Sequence, residues 1–190
     1  MTKNIPTILF CTTNELKFKA GQDVCSKLGI NLEQIVVEVE EIQSEDAHKI
    51  IKDKILKIYE QVKKPIIVTD DSWSIPALNG FPGPYMKSMN HWFSGQDWIN
   101  LMEPYKDKRI YLNSLLAYTA DGQTVTVFEG SAERKFLDKC SDQPGIPLLQ
   151  ALSYPDSETP LSELWAKGKT DVTMTTGSWT DFVKWYKQSS

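Results

Sequence analysis

The stretch PIIVTDDSWSIPALNGFPGPY, residues 65–85, decides how this chain is read. Ile66, Ile67 and Val68, followed by Thr69, form a run of apolar β-formers and read as a buried strand. Asp70 and Asp71 follow, placed by this reading at the strand's carboxyl end, and Asn79-Gly80 and Pro82-Gly83-Pro84 then mark turns. Ligands of open α/β sheets collect beyond the carboxyl ends of strands. Two neighbouring carboxylates there, both held charged, call for a divalent cation. A bare Asp-Asp pair is also compatible with a solvated acidic turn, so the rest of the chain has to decide.

Working outward, residues 7–11 (TILFC) read as a short apolar strand running into Thr12-Thr13-Asn14-Glu15-Leu16-Lys17. The small polar residues suit a helix cap. The helix, about 15–28, carries Leu16, Ala20, Val24 and Leu28 on one stripe, and Gly29 ends it. A strand feeding a helix N-terminus, with hydroxyls, an amide and a lysine one turn in, suits a phosphate cradle as well as an ordinary capped helix. Residues 35–39 read as a second strand, trailed by the acidic cluster Glu38, Glu40, Glu41, Glu45 and Asp46. A helix over about 44–62 follows, capped by Ser44 or Asp46, with Ile50, Ile51, Ile55, Ile58 and Tyr59 as its apolar face. Strand-helix-strand-helix-strand alternation predicts an α/β sheet with crossover helices.

Beyond the central stretch, residues 86–102 read as one helix with an aromatic face of Met89, Trp92, Phe93, Trp98, Leu101 and Met102. Such a face serves as core or as a subunit contact. Residues 109–118 and 124–129, joined at Asp121-Gly122, read as a hairpin, with a further strand ending at Phe136-Leu137. Residues 141–160 read as irregular, and 180–187 as a closing amphipathic helix.

Composition narrows the function classes. The chain has 190 residues, a net charge of −4, three cysteines and two histidines. That length suits one large domain or two packed lobes. The charge gives no general footprint for nucleic acid. No apolar run approaches membrane-spanning length, and no leader pattern opens the chain. Cys11, Cys25 and Cys140 lack zinc-type spacing and suit a reducing, cytoplasmic compartment. His48 and His91 alone make a histidine-based triad or multi-histidine metal site a poor fit.

Three segments together resemble the inosine triphosphate pyrophosphatase family, whose members hydrolyse deaminated purine nucleoside triphosphates. A Thr-x-Asn-x-x-Lys motif after a strand stands here as Thr12, Asn14 and Lys17. A Glu-x-Gln-x-Glu setting stands as Glu41-Ile42-Gln43-Ser44-Glu45. An acidic pair, a small residue and a Pro-Gly-x-Tyr loop stand as Asp70, Asp71 and Ser72, then Pro82-Gly83-Pro84-Tyr85. The match covers about the first half of the chain.

The resemblance implies a mixed twisted sheet flanked by helices, in a single domain of two lobes with a cleft between them. It implies that Thr12, Asn14 and Lys17 hold phosphate oxygens and that Ser72 contacts phosphate. Lys54 would reach the phosphates from the other side; the spacing from Glu41 is one residue longer than in relatives, which leaves Lys52 and Lys57 as alternatives. Glu41, Asp70 and Asp71 would serve Mg²⁺, and Asp71 would also orient and deprotonate the attacking water. Attack on the α-phosphorus would release pyrophosphate and leave a monophosphate. A homodimer is implied, with residues 86–102 as the contact.

The second half departs from the family. Asp142-Gln143-Pro144-Gly145-Ile146-Pro147 stands where relatives carry Phe-Gly-aromatic-Asp-Pro, which reads the base. Lys169 falls in register with a family lysine and would bind substrate, but Thr173-Met174-Thr175 replaces Ser-His-Arg. Ala20 stands where an acidic residue is usual, and Glu133 where a second glycine follows Gly130. An altered base pocket implies altered base choice. Two expectations follow: an active pyrophosphatase for non-standard purines such as ITP or XTP, or a nucleotide-binding homologue that has lost turnover.

Overall fold

The structure is a computed structural model that describes residues 6–27, 29–169 and 176–189. Its strands form a seven-stranded mixed sheet in the order β2-β1-β3-β5-β6-β7, with β4 on β3. The elements in chain order are β1 (Thr7–Cys11), α1 (Glu15–Ser26), β2 (Asn31–Ile35), α2 (Ala47–Val62) and β3 (Ile66–Ser74). A 3-10 turn over Pro76–Leu78 leads to β4 (Pro82–Gly83), α3 (Met86–Trp92), α4 (Gly95–Met102), β5 (Arg109–Thr119) and β6 (Thr126–Phe136). Then come α5 (Pro147–Gln150), β7 (Leu152–Ser153), α6 (Leu161–Ala166) and α7 (Thr176–Ser189). No helix among the described residues is long and apolar enough to cross a membrane.

The chain divides into two compact units, one built from residues 1–71, 114–130 and 172–190, the other from 72–113 and 131–171. In the first, β1 lies parallel to β2 and to β3, with Leu9 opposite Glu33 on one side and Ile66 on the other. The alternation of side chains along a strand sorts its residues into two cores. Ile8, Phe10, Ile67, Leu116 and Tyr118 pack with Cys25 of α1 and with Trp179, Phe182 and Val183 of α7. Leu9, Ile66, Val68, Leu115 and Ala117 pack with Ile51, Ile55 and Ile58 of α2. Gly21 is needed on α1 because Trp179 lies against it: a Cβ there would stand 2.5 Å from Cζ2 of the indole.

The second unit is centred on Trp98, fully buried on α4, with Phe81, Phe93 and Phe136 around its ring at centroid distances of 5.0–6.3 Å. Met86, Met89 and Met102 are also buried. Most of the aromatic face expected as a subunit contact is therefore the core of this unit, and Trp92, 68% exposed, is the part left outward.

Several sequence expectations need correction. The second strand is residues 31–35, not 35–39; it pairs with β1 alone at the sheet's edge and needs only Leu32 buried. Val37 and Val39 instead pack on the α2 core from an unpaired segment. The single helix expected over 86–102 is two, because Ser94 caps a new one through a reciprocal Ser94–Asp97 capping box. Strand β6 runs to Phe136 without a break, and α7 begins at Thr176 rather than 180. The triplet Thr173-Met174-Thr175 and the stripe residue Leu28 lie outside the described residues.

Candidate active site

The strand expected to stop at Thr69 continues to Ser74, so Asp70 and Asp71 lie within β3 rather than after it. Consecutive strand residues face opposite sides of a sheet. Asp70 shares parity with Ile66 and Val68 on the α2 side, whereas Asp71 shares it with Ile67 on the α1 side. The charges follow this division. Lys17 Nζ, in the first turn of α1, lies 2.7 Å from Asp71 Oδ2. Lys54, on α2, is the foremost of the cations acting on Asp70.

Asp70 is the group on which the cluster converges. Burial pushes its carboxyl above the usual range; Lys54 and Lys17 pull it down, while Glu41 and Asp71 push it up. Four of the expected charged residues thus act on the fifth, Asp70. Glu41, on the segment between β2 and α2, receives a hydrogen bond from Lys54 Nζ at 2.5 Å. The alternatives to Lys54 are engaged elsewhere or exposed: Lys57 pairs with Asp53 at 2.7 Å and with the Glu40 carbonyl at 2.9 Å, and Lys52 is an exposed residue of α2.

The phosphate-cradle residues are organised by their own turn. Asn14 Oδ1 accepts from the Leu16 and Lys17 N–H groups at 3.0 and 3.1 Å, which makes Asn14 the N-cap of α1. Thr12 Oγ1 accepts from the Asn14 N–H at 3.1 Å, and Gln34 Nε2 holds the Thr12 carbonyl at 2.9 Å. The Leu16 and Lys17 N–H groups at this helix N-terminus are therefore already capped. The hydroxyl proton of Thr12, the Asn14 amide protons and the Lys17 ammonium remain as donor types suited to phosphate. Ser72 and Lys169 belong to the other unit, where Lys169 is exposed.

Sequence reasoning missed Ser114, which is 2% exposed and donates to Asp71 Oδ1 at 2.6 Å. The available signal was Asn113-Ser114, a polar pair inside the apolar strand RIYLNSLLAYT. Asn113 is used in the second unit, donating to Ser74 at 2.9 Å and accepting from Ser131 at 3.0 Å.

Among the described residues no three His, Cys, Asp or Glu side chains gather as a ready metal cage. The donor set still fits Mg²⁺. That ion takes one or two carboxylates and completes its sphere with water and substrate phosphate rather than with protein alone. Glu41 and the partly buried Asp70, whose carboxyl Glu41 pushes up, are hard oxygen donors of that type.

A sequence model of the Ham1 family matches residues 8–172. The chain is 24% identical over 182 residues to a dITP/XTP pyrophosphatase of Methanopyrus kandleri, covering 96% of this chain and 97% of that protein. It is 31% identical over 128 residues to a dITP/XTP pyrophosphatase of Methanosarcina mazei, covering 67% of this chain and 70% of that one. In fold it is similar to a HAM1 protein from Coxiella burnetii, with a TM-score of 0.78 at 15% identity over 96% of this chain and 99% of the other.

Proposed function

The chain belongs to the Ham1 family, and from that premise we propose that it is a nucleoside triphosphate pyrophosphatase acting on non-standard purines such as ITP or XTP. The observation that carries this reading is the convergence of Lys17, Glu41, Lys54 and Asp71 on Asp70. A scaffold has no use for opposed charges crowded around a half-buried carboxylate, whereas a site for a metal and a polyphosphate does. The names of the relatives, dITP/XTP pyrophosphatase, support the substrate class.

Water attacks the α-phosphorus, the bond from that phosphorus to the bridging oxygen breaks, and pyrophosphate departs with that oxygen. Asp71 orients the water and takes its proton, a role that needs no histidine. Lys17 and Lys54, with Thr12, Asn14 and Ser72, bind the triphosphate and offset the charge gathering on it. Lys169 is a further candidate for substrate binding. Mg²⁺, held by Glu41 and Asp70 with Asp71 beside them, supplies further charge neutralisation when bound. The free thiols Cys11, Cys25 and Cys140 support a cytoplasmic setting, and the exposed Trp92 supports a homodimer.

The test is release of pyrophosphate and monophosphate from ITP, XTP, dUTP and the standard triphosphates, with and without Mg²⁺. Turnover concentrated on ITP and XTP and abolished by chelation is expected. Nucleotide binding without turnover on any member of the panel would favour a binding homologue instead, in keeping with the replaced Phe-Gly-aromatic-Asp-Pro segment at residues 142–147.

A further inference from the structure

We propose that Ser114 is a positioning residue for the hydrolytic step, holding the carboxylate that orients water. The inference rests on the reading of Asp71 given above and adds a residue to it.

Ser114 stands in β5 between Leu112 and the run Leu115, Leu116 and Ala117, all of them buried. A hydroxyl in such a strand is costly unless it is hydrogen-bonded. Here it is bonded to one group, Asp71 Oδ1, at 2.6 Å, in the short range of a charge-assisted bond. Lys17 Nζ holds the other oxygen, Oδ2, at 2.7 Å.

The two donors have different mobility. Lys17 reaches Asp71 on a long, flexible side chain, and its ammonium is also wanted by a triphosphate. Once phosphate draws Lys17, the carboxylate has only Ser114 to fix its plane. The terminal torsion of an aspartate is broad and roughly two-fold, so an unheld carboxylate swings easily. Ser114 has one side-chain torsion, sits in a buried strand of the same sheet, and cannot follow the substrate. It therefore keeps Oδ1 oriented through the binding event, while Oδ2 is released to meet the water. Reactive geometry tolerates little displacement, so this constraint bears on the rate rather than on substrate affinity.

The test uses the full-length protein and the triphosphate it turns over best. Ser114→Ala is expected to lower kcat by about tenfold or more, with KM within about twofold and the melting temperature near that of the wild type. Ser114→Thr, which restores a hydroxyl, is expected to recover most of that loss. In an Asp71→Asn background, Ser114→Ala is expected to add little, because the group it serves is already gone. An unchanged kcat in Ser114→Ala, with wild type active and Asp71→Asn strongly impaired, overturns this inference and leaves the functional reading standing. An equal loss in the Asp71→Asn background assigns Ser114 to folding and also overturns it. An Asp71→Asn protein as active as wild type removes the base assignment, and this inference with it.

Discussion

Asp70 and Asp71, adjacent in sequence, face opposite sides of β3, one toward Lys54 of α2 and the other toward Lys17 of α1. A doubled aspartate suggests two carboxylates chelating from one side. The alternation of the strand divides them instead: Asp71 pairs with Lys17 of α1 at 2.7 Å, and the cation acting most on Asp70 is Lys54 of α2. Under the proposed mechanism, this division lets Asp70 serve a metal while Asp71 serves water.

Replacing Asp71 by Asn removes the proposed base while changing little volume, and the Ser114 hydroxyl retains an oxygen to donate to. Turnover is expected to fall by about a hundredfold or more with the melting temperature near that of the wild type. Steady-state kinetics beside a thermal melt decides it, and a retained kcat removes Asp71 from the mechanism.

Lys17→Ala deletes a cation proposed to bind phosphate and leaves Asp71 with one donor. KM for the triphosphate is expected to rise, and its dependence on salt to flatten, because a screened charge contact has been lost. Measurement of KM at low and high ionic strength tests this. An unchanged KM with an unchanged salt slope would mean that Lys17 serves only as the ion-pair partner of Asp71.

Lys54 and Lys57 lie on the same helix and provide an internal control. Lys54 acts on the Asp70 cluster, while Lys57 is tied to Asp53 and to the Glu40 carbonyl. Lys54→Ala is expected to cost about tenfold or more in kcat/KM, and Lys57→Ala less than about twofold. The reverse order would shift the phosphate-facing role to Lys57.

Gly21→Ala tests the packing that carries α1. Alanine favours a helix by about 1 kcal/mol over glycine, but the new methyl would stand 2.5 and 2.6 Å from Cζ2 and Cη2 of the Trp179 ring, which is 1% exposed. Overpacking of this kind costs about 1–3 kcal/mol, so a net fall in melting temperature is expected. A rise would mean that α7 yields to α1 without cost.

The sequence made β1, α1, α2 and the start of β3 legible because their apolar periodicity is strong and their caps are local. It misplaced β2 because an edge strand paired on one side needs few apolar residues: Asn31–Ile35 buries only Leu32. The more apolar neighbours Val37 and Val39 fill the α2 core without pairing. Of the candidate site, the charged Lys17, Glu41, Asp70 and Asp71 and the polar Thr12 and Asn14 were legible because they stand in recognisable motifs. Two features were not. The opposed faces of Asp70 and Asp71 depend on β3 continuing past its carboxylates, where strand propensity argues against it. The link from Ser114 to Asp71 spans 43 residues and exists only once β5 is laid beside β3.

The two hydrophobic cores on either side of the first unit's strands carry a consequence for the way this chain tolerates mutation. Lys17 rests on the foundation shared with Trp179 and Phe182, and Lys54 on the one shared with Ile51 and Ile58. A void opened beneath α2 would slacken one anchor and leave the other taut. Drift in either foundation would then displace one lysine first, giving a partially impaired catalyst before a broken one.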